Sequence, residues 1–148
     1  SSLSVNLNDD DLDTLYNNSI PVNPIKLIDN IGFTVWGQKT TETSMVYMDR
    51  VNIARLVKYI YKEINKISNQ YLFEGISEKT FTNWGLQVSA FLEKLKTGNA
   101  ITAFSYKMDS DNNTEETISQ NMLIGSVRIK PVEVAEFIDI DFVLTSQV

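Results

Sequence analysis

The sequence predicts an α+β fold, with two main helices packed on a small mixed β-sheet. Two observations carry that prediction. Two stretches in the middle of the chain place apolar residues at helical spacing, and strand-like segments flank them on both sides. At 148 residues, 43% of them hydrophobic, the chain is the size of one domain that buries one core.

The elements are taken in chain order. Asn8 or an early Asp of NDDDLDTLYNN can cap a short helix, whose positive end the acids favour. Pro21 and Pro24 stop it. Residues 31–36 read as a strand that Gly37 closes, and GQKTTETS as a polar loop. The longest helix is predicted from Asp49, as N-cap, to about Gln70, with Ile53, Leu56, Val57, Ile60, Ile64 and Ile67 on one stripe. Burying each such side chain contributes about 1.5–3 kcal/mol, so this stripe must face a partner surface. Arg55, Lys58, Lys62 and Lys66 form a second, basic stripe. Ser77 caps the next helix, about Glu78 to Lys96, with Phe81, Trp84, Val88, Phe91, Leu92 and Leu95 inward and Gly98 at the C′ position. Trp84 reads as core. Strands are predicted near 100–108 and 122–130, the second ended by Pro131. In EFIDIDFVLT, Ile138, Ile140, Phe142 and Leu144 alternate with Asp139, Asp141 and Val143, which predicts a strand with one buried face, suited to pairing with an open sheet edge.

Composition narrows the chemistry. The chain has neither Cys nor His. That removes thiolate nucleophiles, disulfides, His-based triads and nearly every catalytic zinc site, and the chain reads as not an enzyme. A net charge of −6 argues against a nucleic-acid partner. No apolar run has the length of a membrane span, so direct membrane insertion is not expected. The first residue is not Met, and SSLSVNLNDDD lacks the layout of a signal peptide, so the chain reads as part of something longer.

The segment YKMDSDNNTEETISQN raises a metal question, because Asp109, Asp111 and Asn113 alternate like the first ligands of an EF-hand loop. Position 6 of that loop should be Gly and position 12 a bidentate Glu. Here they are Thr114 and Gln120. The flanks read as strands rather than helices. The favoured reading is a polar connection in which Asp and Asn side chains form local turns, with no cofactor and no metal. A module binding calcium or a small ligand through this loop is the alternative from a different functional class.

Several stretches taken together resemble the C-terminal domain of contractile phage tail sheath proteins. NPIKLIDNIGFTVWGQKT is similar to a segment in which a short NPI run leads to a strand ending in WG-[AQ]-[RK]-T. DRVNIARLVKYIYKEI resembles the start of a helix with the pattern R-x-N-V-R-R-L. QYLFE and FTNWGLQVSAFLEKLKTGNAI are similar to the second helix and its approach. YKMDSDNNTEETISQNMLIGSVRIKPVEVAEFIDIDFVLT resembles a closing segment in which CD-x-x-N-N-T-P precedes two strands. The resemblance runs from about Leu7 to Thr145. It departs from the pattern at Met108 (Cys in the family), at Glu115 (Pro in the family) and at Ala54, the first place of the Arg-Arg pair whose second is Arg55.

The resemblance implies a structural subunit of a contractile tail sheath, placed in the virion after assembly in the host cytoplasm. Such subunits stack as helical rings around an inner tube, exchange terminal strands with neighbours, and contract to drive the tube through the host envelope. The expected partners are other sheath subunits and the tail tube protein. A sheath of a tailocin or a type VI secretion system is the alternative within the class. On this basis residues 1–30 are an N-terminal arm with a short helix, 31–135 the core, and 136–148 a C-terminal strand or arm. Ile138, Ile140, Phe142 and Leu144 are expected in the inter-subunit strand. Tube contact is expected first at Lys94 and Lys96, then at Arg55, Lys58, Lys62 and Lys66.

Overall fold

The computed structural model describes residues 5, 7–42 and 48–134. Within them lie helices α1 (Asp9–Tyr16), α2 (Val51–Ser68), α3 (Glu78–Thr97) and α4 (Glu115–Ser119), and strands β1 (Ile25–Ile28), β2 (Gly32–Val35), β3 (Ile101–Lys107) and β4 (Ser126–Pro131). The α+β content is as predicted. Among the described residues, however, the strands form two antiparallel pairs, β1–β2 and β3–β4, rather than one mixed sheet. The predicted strand through 138–144 lies outside the described residues. The chain divides into two compact units, Ser1–Gln70 and Tyr71–Val148.

In the first unit, α1 begins at a reciprocal cap. Asn8 Oδ1 accepts from Asp11 N–H at 2.8 Å, and Asp11 Oδ2 accepts from Asn8 N–H at 3.1 Å. Asp9, Asp10 and Asp11 occupy the first turn, where the helix dipole favours negative charge. Two lysines tie this helix to the segment 26–39. Lys26 Nζ reaches Asp9 at 2.9 Å, at the helix start. Lys39 Nζ donates to the Tyr16 carbonyl at 2.9 Å and lies 4.1 Å from the centre of the Tyr16 ring, at the helix end. Gly37 fills a tight space beside that ring. Its φ is +150°, and a Cβ there would sit 2.6 Å from Asn23 Oδ1 and 2.8 Å from the Tyr16 ring.

The long helix α2 starts one residue later than the sequence suggests, with Arg50 rather than Asp49 at the N-cap position. The segment before the helix is committed to pairing instead. Thr40 N–H donates to the Asp49 carbonyl at 2.8 Å, Val51 N–H donates to the Gln38 carbonyl at 2.7 Å, and Arg50 is extended at φ −112°, ψ 133°. The Asp49 carboxylate goes to the Arg50 guanidinium at 2.7 Å. Ile53 and Ile60 of the apolar stripe are buried, while Leu56, Val57, Ile64 and Ile67 are half-buried.

The second unit opens with a turn closed by Glu74 N–H on the Tyr71 carbonyl at 3.2 Å. Its third residue, Phe73, has φ +68°, a left-handed value that costs a non-glycine residue about 1–3 kcal/mol. Ser77 then caps α3 through Thr80 N–H, and the Thr80 hydroxyl donates to the Gly75 carbonyl at 2.7 Å. Phe81, Trp84, Val88 and Leu92 of α3 are buried, with Ile101 of β3, which packs against this helix. The helix end corrects one expectation. Gly98 is the last cap residue at φ −80°, and Asn99 takes the left-handed C′ position at φ +55°. Ala100 N–H bonds the Leu95 carbonyl and Asn99 N–H the Lys96 carbonyl, the pair of bonds of a Schellman motif. Asn tolerates that backbone, so Gly98 is not needed for it.

Candidate functional site

The β1–β2 hairpin carries the most unusual surface in the first unit. Antiparallel register places Ile25 opposite Val35 and Leu27 opposite Phe33. With a side-chain period of two, these four share one face. All four are exposed, from 48% for Phe33 to 60% for Val35. Lys26, Ile28, Gly32 and Thr34 on the other face are half-buried. The sheet is therefore inside out for an isolated hairpin, with its most apolar face toward solvent. Its two strands pair only with each other among the described residues, so each presents one unpaired backbone edge.

Sequence reasoning placed a single strand at 31–36 and missed β1. The signal was present. IKLI and GFTV alternate on either side of Asp29-Asn30-Ile31, and Asn30 adopts the left-handed φ of +64° that a tight connection requires.

The loop 108–125 joins β3 to β4 and contains the short helix α4, which the sequence did not suggest. Its Asp and Asn side chains turn inward on the loop's own backbone, as the local-turn reading expected. Asp109 Oδ1 accepts from Asp111 N–H at 3.0 Å, and Asn112 Oδ1 accepts from Asp109 N–H at 2.8 Å. Asn112 Nδ2 donates to the carbonyls of Lys107 and Ile124 at 3.1 and 2.9 Å. Asn113, 2% exposed, donates to the Asp109 and Ile124 carbonyls, both at 3.0 Å, and accepts from Ile124 N–H at 2.7 Å. The two asparagines thus stitch the outgoing and returning arms of the loop together.

Outside this knot, Lys107 Nζ lies 2.8 Å from Asp111 Oδ2 and 3.7 Å from Asp109 Oδ1. The hydrogen bond from Lys107 holds the Asp111 carboxyl below its ordinary pKa, and the same bond raises Lys107. Among the described residues no group of three or more His, Cys, Asp or Glu side chains is placed to share a metal ion.

Behind the loop, Gly125 lies against the aromatic core. A Cβ there would sit 2.8 Å from Met108 Cε and 2.9 Å from the Trp84 ring. Trp84 is buried, as expected, and meets Tyr106 edge to face with ring centres 6.3 Å apart.

The basic candidates are all exposed. Arg55, Lys58, Lys62 and Lys66 lie along α2, where Lys66 has Glu63 at 4.0 Å, and Lys94 and Lys96 lie in the last turn of α3. The four on α2 fall at helical spacing on one side of that helix, whereas Lys94 and Lys96, two residues apart, do not share a face of α3. Ile138, Ile140, Phe142 and Leu144 lie outside the described residues. No described helix is long and apolar enough to cross a membrane.

The tail sheath protein of Vibrio phage KVP40 is 30% identical over 144 residues, 97% of this chain and 21% of that protein. The tail sheath protein of Enterobacteria phage T4 is 27% identical over 134 residues, 90% of this chain and 20% of that protein. The chain thus spans about a fifth of the length of these curated relatives. The same fold occurs in the cryo-EM structure of the anti-feeding prophage baseplate (TM-score 0.87, 23% identity, 98% of this chain and 42% of that one). It occurs again in the sheath complex of an extracellular contractile injection system in its contracted state (TM-score 0.86, 23% identity, 99% and 43%). The phage tail sheath C-terminal domain family matches residues 46–145, and the chain belongs to that family.

Proposed function

We propose that this chain acts as the assembly domain of a contractile phage tail sheath subunit, and that it links subunits by strand addition. One observation supports this most. The β1–β2 hairpin has an exposed apolar face and open edges, which an isolated domain has no reason to keep. The sequence of 138–144 has the matching pattern: read as a strand, it would put Ile138, Ile140, Phe142 and Leu144 on one side. Added to a neighbour's hairpin, it gives the edge backbone hydrogen bonds and widens the apolar face by one more row.

In this reading the domain lies next to an inner tube, within the virion, and has no catalytic role. The mesh of exchanged strands stays joined while the subunits rotate during contraction. Lys94 and Lys96 meet acidic groups of the tube protein first, and Arg55, Lys58, Lys62 and Lys66 are the second contact. All six are exposed, so such contacts are screened by salt and separate readily when the sheath moves. A sheath of a non-phage injection system is the second reading, favoured by the fold shared with the two injection-system structures. The sequence relatives favour the phage tail.

The test is deletion of residues 136–148 from a full-length sheath polypeptide carrying this sequence. The expected outcome is soluble, folded subunits that do not polymerise, read by pelleting and electron microscopy. Sheaths of normal length and yield would refute strand addition.

A further inference from the structure

The outer face of the β3–β4 pair has no part in the strand-addition reading. Its register sets Lys107 beside Ser126, Ser105 beside Arg128 and Ala103 beside Lys130. These six share one face, and all six are exposed. The other face carries Phe104, Tyr106, Val127 and Ile129, and Tyr106 meets Trp84 of α3 there. The outer face is thus small and cationic, on a chain of net charge −6. Lys107 is committed to Asp111 at 2.8 Å. Arg128 and Lys130, about 7 Å apart along the strand, have no ion pair among the described residues.

β4 also has an open edge, because it pairs only with β3 among the described residues. The Lys130 carbonyl accepts from Thr102 Oγ1 and Val132 N–H donates to the Ala100 carbonyl, both at 3.2 Å, so residues 130 and 132 turn their backbone toward β3. By alternation, Val127 and Ile129 turn theirs to the open side.

The chain itself supplies an occupant of matching charge and spacing. Beyond Val134 it continues into 135–148, outside the described residues, where Asp139 and Asp141 alternate with Ile138, Ile140 and Phe142. An antiparallel return through the four-residue connection 133–136 sets Asp139 opposite Lys130 and Asp141 opposite Arg128. The same register sets Ile140 opposite Ile129 and Phe142 opposite Val127, so both faces match at once. A connection one residue longer or shorter would put the acids on the apolar side. The β1–β2 hairpin offers these acids only Lys26, which Asp9 already holds at 2.9 Å. A connection this short also keeps the segment at an effective concentration on the order of millimolar, above that of any second copy in dilute solution.

We propose that residues 138–142 dock on the chain's own β4 edge in the free subunit, with Asp139 on Lys130 and Asp141 on Arg128. The dock stands independently of strand addition between subunits. On that reading, a neighbour's hairpin competes with it for the same segment during assembly.

The chain has no cysteine, so an engineered pair of thiols can close only with each other. In the proposed register Ser126 lies opposite Val143. Oxidised in dilute solution with glutathione disulfide, Ser126→Cys/Val143→Cys is expected to close an intramolecular disulfide several-fold faster than Ser126→Cys/Phe142→Cys, whose second thiol lies on the other face. Equal rates overturn the proposal, because tethering alone would give them. Adding Arg128→Asp to the first pair is expected to slow closure several-fold, and adding Asp141→Arg to that variant to restore it. Closure that ignores both changes, or that the swap does not restore, refutes the charge-matched dock. Strand addition is read separately, in a full-length sheath polypeptide carrying the Ser126→Cys/Val143→Cys pair. Reduced subunits are expected to polymerise and oxidised ones are not. Fast closure with oxidised subunits that still polymerise would refute strand addition and leave the dock standing.

Discussion

Asn113 shows what a single side chain does in this fold. Almost fully buried, its amide donates to the Asp109 and Ile124 carbonyls and to Asn112 Oδ1, and accepts from Ile124 N–H on the returning arm of the loop. Asn113→Ala leaves those groups unpaired and should destabilise the domain by about 1–3 kcal/mol, measured by chemical denaturation. Asp111 gives a second test at this scale. Its folded pKa is lowered, so the stability it contributes is complete above its unfolded pKa and is lost as pH falls through the lower folded value. Lys107→Met should return the Asp111 carboxyl toward its ordinary pKa in an NMR titration. An unchanged value would mean that the ion pair is not the cause. The sequence already held the main point about this loop. Thr114 and Gln120 stand where an EF-hand needs Gly and Glu, which left turn chemistry as the reading. What it did not hold was the partner. That Asn113 bonds Ile124 depends on where β4 returns, a long-range fact that local spacing does not contain.

At the scale of elements, α1, α2, α3 and the strands β2, β3 and β4 were legible, whereas β1, α4 and the pairing of the strands were not. An apolar stripe with a 3.6-residue period marks α2 and α3 whatever surrounds them, and Trp84 fell in the core as its place on that stripe requires. Helix ends depend on neighbours. Residues 38–40 compete for the backbone of Asp49–Val51 and delay α2, and Asn99 takes the left-handed position expected of Gly98. The four-residue strand β1, which pairs with the predicted β2, was harder still, because an alternating run that short hardly stands out from its surroundings. Their exposed face gives the prediction at this scale. Leu27→Asp should leave the isolated domain within about 0.5 kcal/mol of its original stability, because Leu27 is already exposed, yet it should abolish sheath assembly. A mutant that unfolds would place Leu27 in the domain's own core, and one that assembles normally would remove the face from the interface.

For the whole molecule, the order of its markers carried more than any one of them. No catalytic motif, no metal loop and no membrane span was found in the sequence, while five sheath-like stretches lay in order along it, and the family match over residues 46–145 agrees with them. A lattice role of the proposed kind is invisible from one chain, because half of each contact would belong to the next subunit. The proposal accounts in this way for a hairpin that looks inside out in isolation. The central claim is that a neighbour's strand completes it. Hydrogen–deuterium exchange at the amides of Ile25–Ile28 and Gly32–Val35, compared between free subunits and assembled sheath, tests this directly. Strand addition predicts strong protection of the outward-facing amides of one of the two strands on assembly, lost when residues 136–148 are deleted. Equal exchange in the two states would contradict it.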